Sequence, residues 1–187
     1  RELMIVNPET GRVLVSTQPS SQGVDVAEEP YFQKPLASGQ LYIQDISTFK
    51  HLREPSMAFA VPVVCRTHHR HNVGVLVAWI DLRASLFQLL LDRTGLGQSG
   101  ETLLVNSKGM ALSELRRRDH APLQLQLDSE PVKLAARGET GTIEANDYRG
   151  REVLAAYTSI PRTGWGFVAK EDLREIYGPI RDMVKDI

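Results

Sequence analysis

The sequence predicts an α+β protein of two tandem lobes, each an antiparallel sheet flanked by helices, joined by a connecting helix and ending in a C-terminal helix. Three observations predict it. Leu3-Met4-Ile5-Val6-Asn7, Gly11 and Val13-Leu14-Val15-Ser16 read as two strands joined by a glycine-bearing turn, and Leu103-Leu104-Val105-Asn106, Gly109 and Met110-Ala111-Leu112-Ser113 repeat that pattern about 99 residues later. A short helical stretch closed by glycine, Tyr31 to Gly39, has its counterpart in Val132 to Gly138. Two apolar strands, Met57 to Val64 and Gly74 to Leu82, are matched by Val153 to Ile160 and Gly166 to Leu173. Blocks that return in one order at near-constant spacing mark a duplication.

Each copy runs strand, turn, strand, short helix and then two long strands as a hairpin. That order builds an antiparallel sheet with helices packed on it, not a parallel doubly wound one. Between the copies, from Asp81 to Arg93, Leu82, Leu86, Phe87, Leu89 and Leu90 recur at helical spacing and Gly95 follows as a stop, which predicts the connecting helix. From Asp172 to Ile187, the residues Leu173, Ile176, Tyr177, Ile180, Met183, Val184 and Ile187 fall on one stripe, with Pro179 as a site for a kink. A helix that leaves a fold with an apolar stripe calls for a partner.

Composition narrows the function. The 187 residues are 42% hydrophobic and 24% charged, enough to bury a core in one large domain or two small ones. With 22 basic against 23 acidic residues the chain has no basic face for phosphates, and Arg116-Arg117-Arg118, followed by Asp119, reads as a solvated loop or helix end, so no nucleic-acid partner is expected. No run reaches the roughly 18 to 20 apolar residues that cross a bilayer, and the first residues lack a signal-peptide pattern. The chain opens on Arg1-Glu2-Leu3 with no initiator Met and reads as a piece of a longer protein. Its single cysteine, Cys65, allows no internal disulfide.

Chemical motifs are sparse. Gly95-Leu96-Gly97-Gln98-Ser99-Gly100 spells a dinucleotide-binding fingerprint, but that fingerprint needs a strand before it and a helix after it. Here a helix precedes and a strand follows, so the segment reads as a linker. No serine sits in an elbow motif and no cysteine beside a placed histidine, so no catalytic residue, enzyme activity or cofactor is predicted. Cys65, His68, His69 and His71 carry good transition-metal donors. They fall in the polar turn between two apolar strands, where side chains project into water, and the expectation is a solvated loop without metal.

Three passages carry a resemblance to a known family: Gly97 to Asn106, then Gly138-Glu139-Thr140-Gly141, and then Asp147-Tyr148-Arg149-Gly150 through Ala155-Ala156-Tyr157 to Thr163-Gly164-Trp165-Gly166-Phe167-Val168-Ala169. The chain resembles the double Cache sensory domains, pairs of PAS-like lobes in bacterial and archaeal transmembrane receptors. The resemblance implies a membrane-distal lobe over residues 1–93, a membrane-proximal lobe over 94–170, and a helix over 171–187 leading toward the membrane. It implies an extracytoplasmic, periplasmic or extracellular position in a membrane-anchored, homodimeric receptor. The output would be a histidine kinase, or otherwise a diguanylate cyclase or chemoreceptor. The distal lobe would take a small molecule of unknown identity; the alternatives are a ligand-free dimerisation module and one that answers to a protein partner.

The amino-acid-binding branch of that family uses an arginine and aromatics at a lid helix, then a tyrosine, then an aspartate on the last strand. By resemblance Glu29 stands in the arginine's place, Tyr31 and Phe32 keep the aromatics, Ser47 replaces the tyrosine and Trp79 the aspartate. The carboxylate clamp and the ammonium acceptor are both lost. The remaining ligand-binding candidates are Glu29, Tyr31, Phe32, Tyr42, Asp45, Phe59 and Trp79, aromatic faces with carboxylates that suit a small cation. A further possibility is an organic anion held by Lys50, Arg53 or Arg66.

Overall fold

The computed structural model describes residues 2–47, 56–65, 67, 71–81, 90 and 95–178. The chain divides into two compact units, Arg1–Leu82 and Arg83–Ile187.

The first unit contains β1 (Glu2–Val6), β2 (Val13–Ser16), α1 (Pro30–Ser38), β3 (Tyr42–Ser47), β4 (Ser56–Val64) and β5 (Asn72–Asp81). Its strands pair antiparallel in the order β2-β1-β5-β4-β3. The second contains β6 (Glu101–Val105), α2 (Glu130–Ala136), β7 (Gly141–Asn146), β8 (Glu152–Ile160) and β9 (Trp165–Asp172), in the order β6-β9-β8-β7. Chain order maps β6, β7, β8 and β9 onto β1, β3, β4 and β5, so both units build the same sheet. Only the partner of β2 is reduced, to a single bridge between Val105 and Ala111.

The duplication extends to the first turn. The Asn7 side chain accepts hydrogen bonds from the Glu9 and Thr10 amides at 2.8 and 3.0 Å. Asn106 accepts from Lys108 and Met110 at 2.9 and 3.0 Å. Each turn then closes on a left-handed glycine, Gly11 at φ 67° and Gly109 at φ 78°, which an L side chain would strain.

Alternation along the strands sets the cores. Met4, Val6, Val75, Val77 and Trp79 meet Tyr31 and Phe32 from α1, while Leu103, Val105, Val153 and Val168 meet Val132 and Ala135 from α2. Pro30 opens α1 with its backbone preset, and Gly39 closes it at φ 68°. α1 lies over β3, β4 and β5, and α2 over β7, β8 and β9.

The structure departs from the sequence expectation in four places. It adds β3 and β7 after the helices; in β7 half-buried and exposed residues alternate along Gly141–Asn146. The expected strand Met110 to Ser113 is reduced to bridges: the Leu112 amide still donates to the Leu104 carbonyl at 2.8 Å and the Asn106 amide to that of Met110 at 3.0 Å, while residues 109–111 also bond to residues 123–127, the Ala111 amide donating to the Leu125 carbonyl at 2.9 Å and the Leu127 amide to that of Gly109 at 2.9 Å. Asp172 ends β9 and does not start a helix; residues 173–178 are helical, and 179–187 lie outside the described residues. Of the connecting helix, Leu90 is helical and the remainder lies outside the described residues, except Asp81, which ends β5. Among the described residues no helix is long and apolar enough to cross a membrane.

Candidate functional site

On the first sheet, strand register places Gln44, Ala58, Trp79 and Glu2 side by side across β3, β4, β5 and β1. Directly opposed residues of antiparallel strands share a face, and this is the face that α1 covers. The Trp79 indole meets the Tyr31 ring edge to face, with centroids 4.9 Å apart and planes at 80°. Burial, with the charges of Glu29 and Glu2, pushes the Tyr31 phenol above its ordinary range, so it stays a neutral hydroxyl.

Glu2 was absent from the residues singled out by sequence. It is 3% exposed, its Oε1 accepts a 2.6 Å hydrogen bond from the Ser16 hydroxyl, and its Oε2 is buried with no hydrogen-bond partner among the described residues. Gln44 Oε1, at the other end of the row, is likewise buried without one. The signal was legible: Glu2, Met4 and Val6 share the inward period of β1.

The sequence-predicted residues divide. Tyr31, Phe32 and Trp79 are buried together in the core, and Tyr42 packs against them. The Tyr42 ring already carries a cation of the chain itself: Lys34 Nζ stands 4.7 Å from its centroid and 3.2 Å from its hydroxyl. Glu29 is half-buried at the start of α1 and makes no side-chain cap bond. Asp45 is exposed, its Oδ1 accepting from the Ile46 amide at 2.7 Å. Phe59 is not brought to the site; it pairs with Ile43 and Ala78 on the reverse face, because the small Ala58 and Ala60 face α1. Lys50, Arg53, Arg66, His68 and His69 lie outside the described residues. Cys65 and His71 close the hairpin through a 3.0 Å backbone bond, and among the described residues no three His, Cys, Asp or Glu side chains gather as metal ligands.

The second unit holds the same row in a different state. Register sets Ile143, Ala155, Lys170 and Glu101 side by side. Lys170, 3% exposed, places its ammonium 2.8 Å from Glu101 Oε2, 2.5 Å from Asp147 Oδ2 and 4.6 Å from the centre of the Tyr148 ring. Glu101 also accepts from the Tyr148 hydroxyl at 3.0 Å and the Arg116 amide at 2.6 Å. Arg149 bridges Asp147 and Asp172. Every charge in this buried cluster is answered. A cavity of about 480 Å³ opens beside it, between Arg118, Leu125, Ser129, Asn146, Asp147 and Tyr148.

Burial alone would raise the Asp147 carboxyl, but hydrogen bonds from Lys170 and Arg149 outweigh it and hold the group below the usual carboxylate range. A carboxyl depressed on folding adds stability above its unfolded value, and that stability is lost as pH falls through the folded value. Acid titration at fixed ionic strength should therefore weaken the second unit from about pH 4 downward, followed by the Trp165 indole N–H resonance, and Asp147→Asn should flatten that slope.

A sequence model of the Cache domain family matches residues 1–180. No curated protein sequence matches the chain. Among solved structures, the ligand-binding domain of the Campylobacter jejuni chemoreceptor Tlp3, in complex with 4-methylisoleucine, is 16% identical over 94% of this chain and 66% of its own, with a TM-score of 0.69. The extracellular domain of a proposed histidine kinase, mmHK1S-Z3, is 15% identical over 86% of this chain and 60% of its own, with a TM-score of 0.66. The ligand-binding domain of Mlp24 with asparagine is 14% identical over 96% of this chain and 71% of its own, with a TM-score of 0.64. These likenesses carry the fold alone, and the first two structures extend well beyond the part this chain spans. With the family match running through both units and one sheet order built twice, the chain belongs to the Cache domain family.

Proposed function

We propose that this chain is the extracytoplasmic sensor of a transmembrane signalling receptor, most simply a histidine kinase and otherwise a diguanylate cyclase or chemoreceptor. It binds a small molecule in the first unit, between the sheet and α1, and performs no chemistry on it. The observation that carries this reading is the contrast between the two units. Equivalent rows are closed by the chain's own charges in the second and hold, among the described residues, buried acceptors without a hydrogen-bond partner beside aromatic rings in the first. Buried polar groups without partners are costly and are retained where a ligand answers them. The complexes of Tlp3 with 4-methylisoleucine and of Mlp24 with asparagine support a small organic ligand for this fold.

Residues 1–93 then form the membrane-distal lobe, 94–170 the proximal lobe and 171–187 the helix toward the membrane, in a homodimer anchored on both sides. A carboxylate clamp supports transmission along this path. Glu175, in the C-terminal helical segment, accepts from the Gln98 and Ser99 amides at 2.6 and 2.7 Å and from the Ser99 hydroxyl at 2.5 Å. Those bonds hold its carboxyl below the ordinary range. The segment read as a linker is thus fastened to the exit helix.

A ligand shifts such a system only through unequal affinity for its two arrangements. Thermal melting against a panel of amines, amino acids, carboxylates and purines tests the proposal. A true ligand at about 100 times its dissociation constant should stabilise the chain by about 2.7 kcal/mol, and no shift with any compound would contradict the reading.

A further inference from the structure

The two copies of the fold show what the first unit lacks. Glu2 and Glu101 open equivalent strands, Glu2-Leu3-Met4-Ile5-Val6-Asn7 and Glu101-Thr102-Leu103-Leu104-Val105-Asn106. Each faces its core, at 3% and 5% exposure. The cross-strand neighbour of Glu101 is Lys170, whose ammonium it holds at 2.8 Å; that of Glu2 is Trp79. The carboxylate persists in the first copy and the cation does not.

We infer that Glu2 is the anchor of the ligand site, and that the ligand is a cation whose ammonium group takes, against Glu2 Oε2, the place that Lys170 fills in the second unit. The inference rests on the sensor reading and deepens it. Glu2 Oε1 is occupied by the Ser16 hydroxyl, which leaves Oε2 as the acceptor. A buried carboxylate is strongly disfavoured unless a cation compensates it, and directly opposed residues have Cβ atoms about 4.5–5.5 Å apart, so an ammonium on Glu2 lies beside the Trp79 indole. Lys170 is held in the same manner, between carboxylates and over the Tyr148 ring. At the far end of the row Gln44 Oε1 offers a second buried acceptor for a further N–H of the ligand. The acceptor that the resemblance finds missing at Trp79 is supplied from the adjacent strand.

Two experiments test this on the whole chain. Amines, alcohols and carboxylates on matched propyl to hexyl skeletons are titrated into the native protein and Glu2→Gln. The expected result is binding by amines alone, weakened at least about tenfold by Glu2→Gln, with the unliganded variant melting no lower than the native protein. Amines that bind both proteins equally, or alcohols or carboxylates that bind where amines do not, overturn the inference and leave the sensor reading standing. Silence from every class of both panels overturns the two together. The second experiment needs no ligand. Trp79→Lys, which copies the Lys170 arrangement, should melt above Trp79→Met, and the difference should vanish in the Glu2→Gln background. A lysine no better than methionine overturns the inference.

Discussion

Replacing Lys170 by methionine is expected to cost the second unit about 3–5 kcal/mol, a fall in melting temperature of at least about 12 °C for a unit of this size. The side chain is 3% exposed and its ammonium lies between Glu101 and Asp147, both buried. Methionine fills nearly the same volume, so packing changes little. What remains is two carboxylates confined together, with Arg149 reaching Asp147 and Asp172. Combining Lys170→Met with Glu101→Gln and Asp147→Asn should recover much of the loss, because a neutral cluster no longer confines charge. Melting followed at Trp165, itself buried in the second unit, reads the effect. A drop of only a few degrees for the single variant would mean that the ammonium is not confined as described.

Trp79→Ala is expected to destabilise the first unit by about 3–5 kcal/mol, the ordinary cost of removing a large aromatic from a packed core. The indole is buried, closes the edge-to-face pair with Tyr31 and separates Glu2 from Ala58 on the sheet. Phe59→Ala is the internal control. Phe59 is half-buried on the reverse face, so it should cost clearly less and leave ligand affinity unchanged. Chemical denaturation of the three proteins compares them, and a Phe59→Ala cost equal to that of Trp79→Ala would contradict the assignment of faces.

The repeat itself is plain in the sequence, because an asparagine followed within four residues by a left-handed glycine, Asn7 with Gly11 and Asn106 with Gly109, punctuates the first turn of each copy, and helix spacing with a closing glycine marks both helices. Faces were harder. Phe59 reads as a site aromatic because it lies on an apolar strand, yet Ala58 and Ala60 are the residues of β4 that face α1 and the ring lies on the other side. Tyr42 reads as open to a ligand cation, but Lys34, one turn before the end of α1 and eight residues upstream, occupies it. β3 and β7 carry mixed polar residues whose pattern emerges only against β4 and β8.

Glu2, Glu101 and Lys170 escape a reading of the sequence for a different reason. A charged residue at a strand end reads as solvated unless its parity with the apolar positions is counted. Glu2 is in step with Met4 and Val6, Glu101 with Leu103 and Val105, and Lys170 with Val168. Charge in step with a core face is the pattern that sequence reading should weigh, since burial at such a position demands a partner from the chain or from outside it.

The chain has two tryptophans, and they divide between the units: Trp79 in the first sheet, Trp165 at the start of β9 in the second. Their indole N–H resonances therefore report occupancy of each unit separately. When a compound that raises the melting temperature is titrated into the chain, the Trp79 resonance should move in proportion to saturation while that of Trp165 stays within its unliganded position. Movement of Trp165 alone, with Trp79 unaffected, would place the ligand in the second unit and contradict the account.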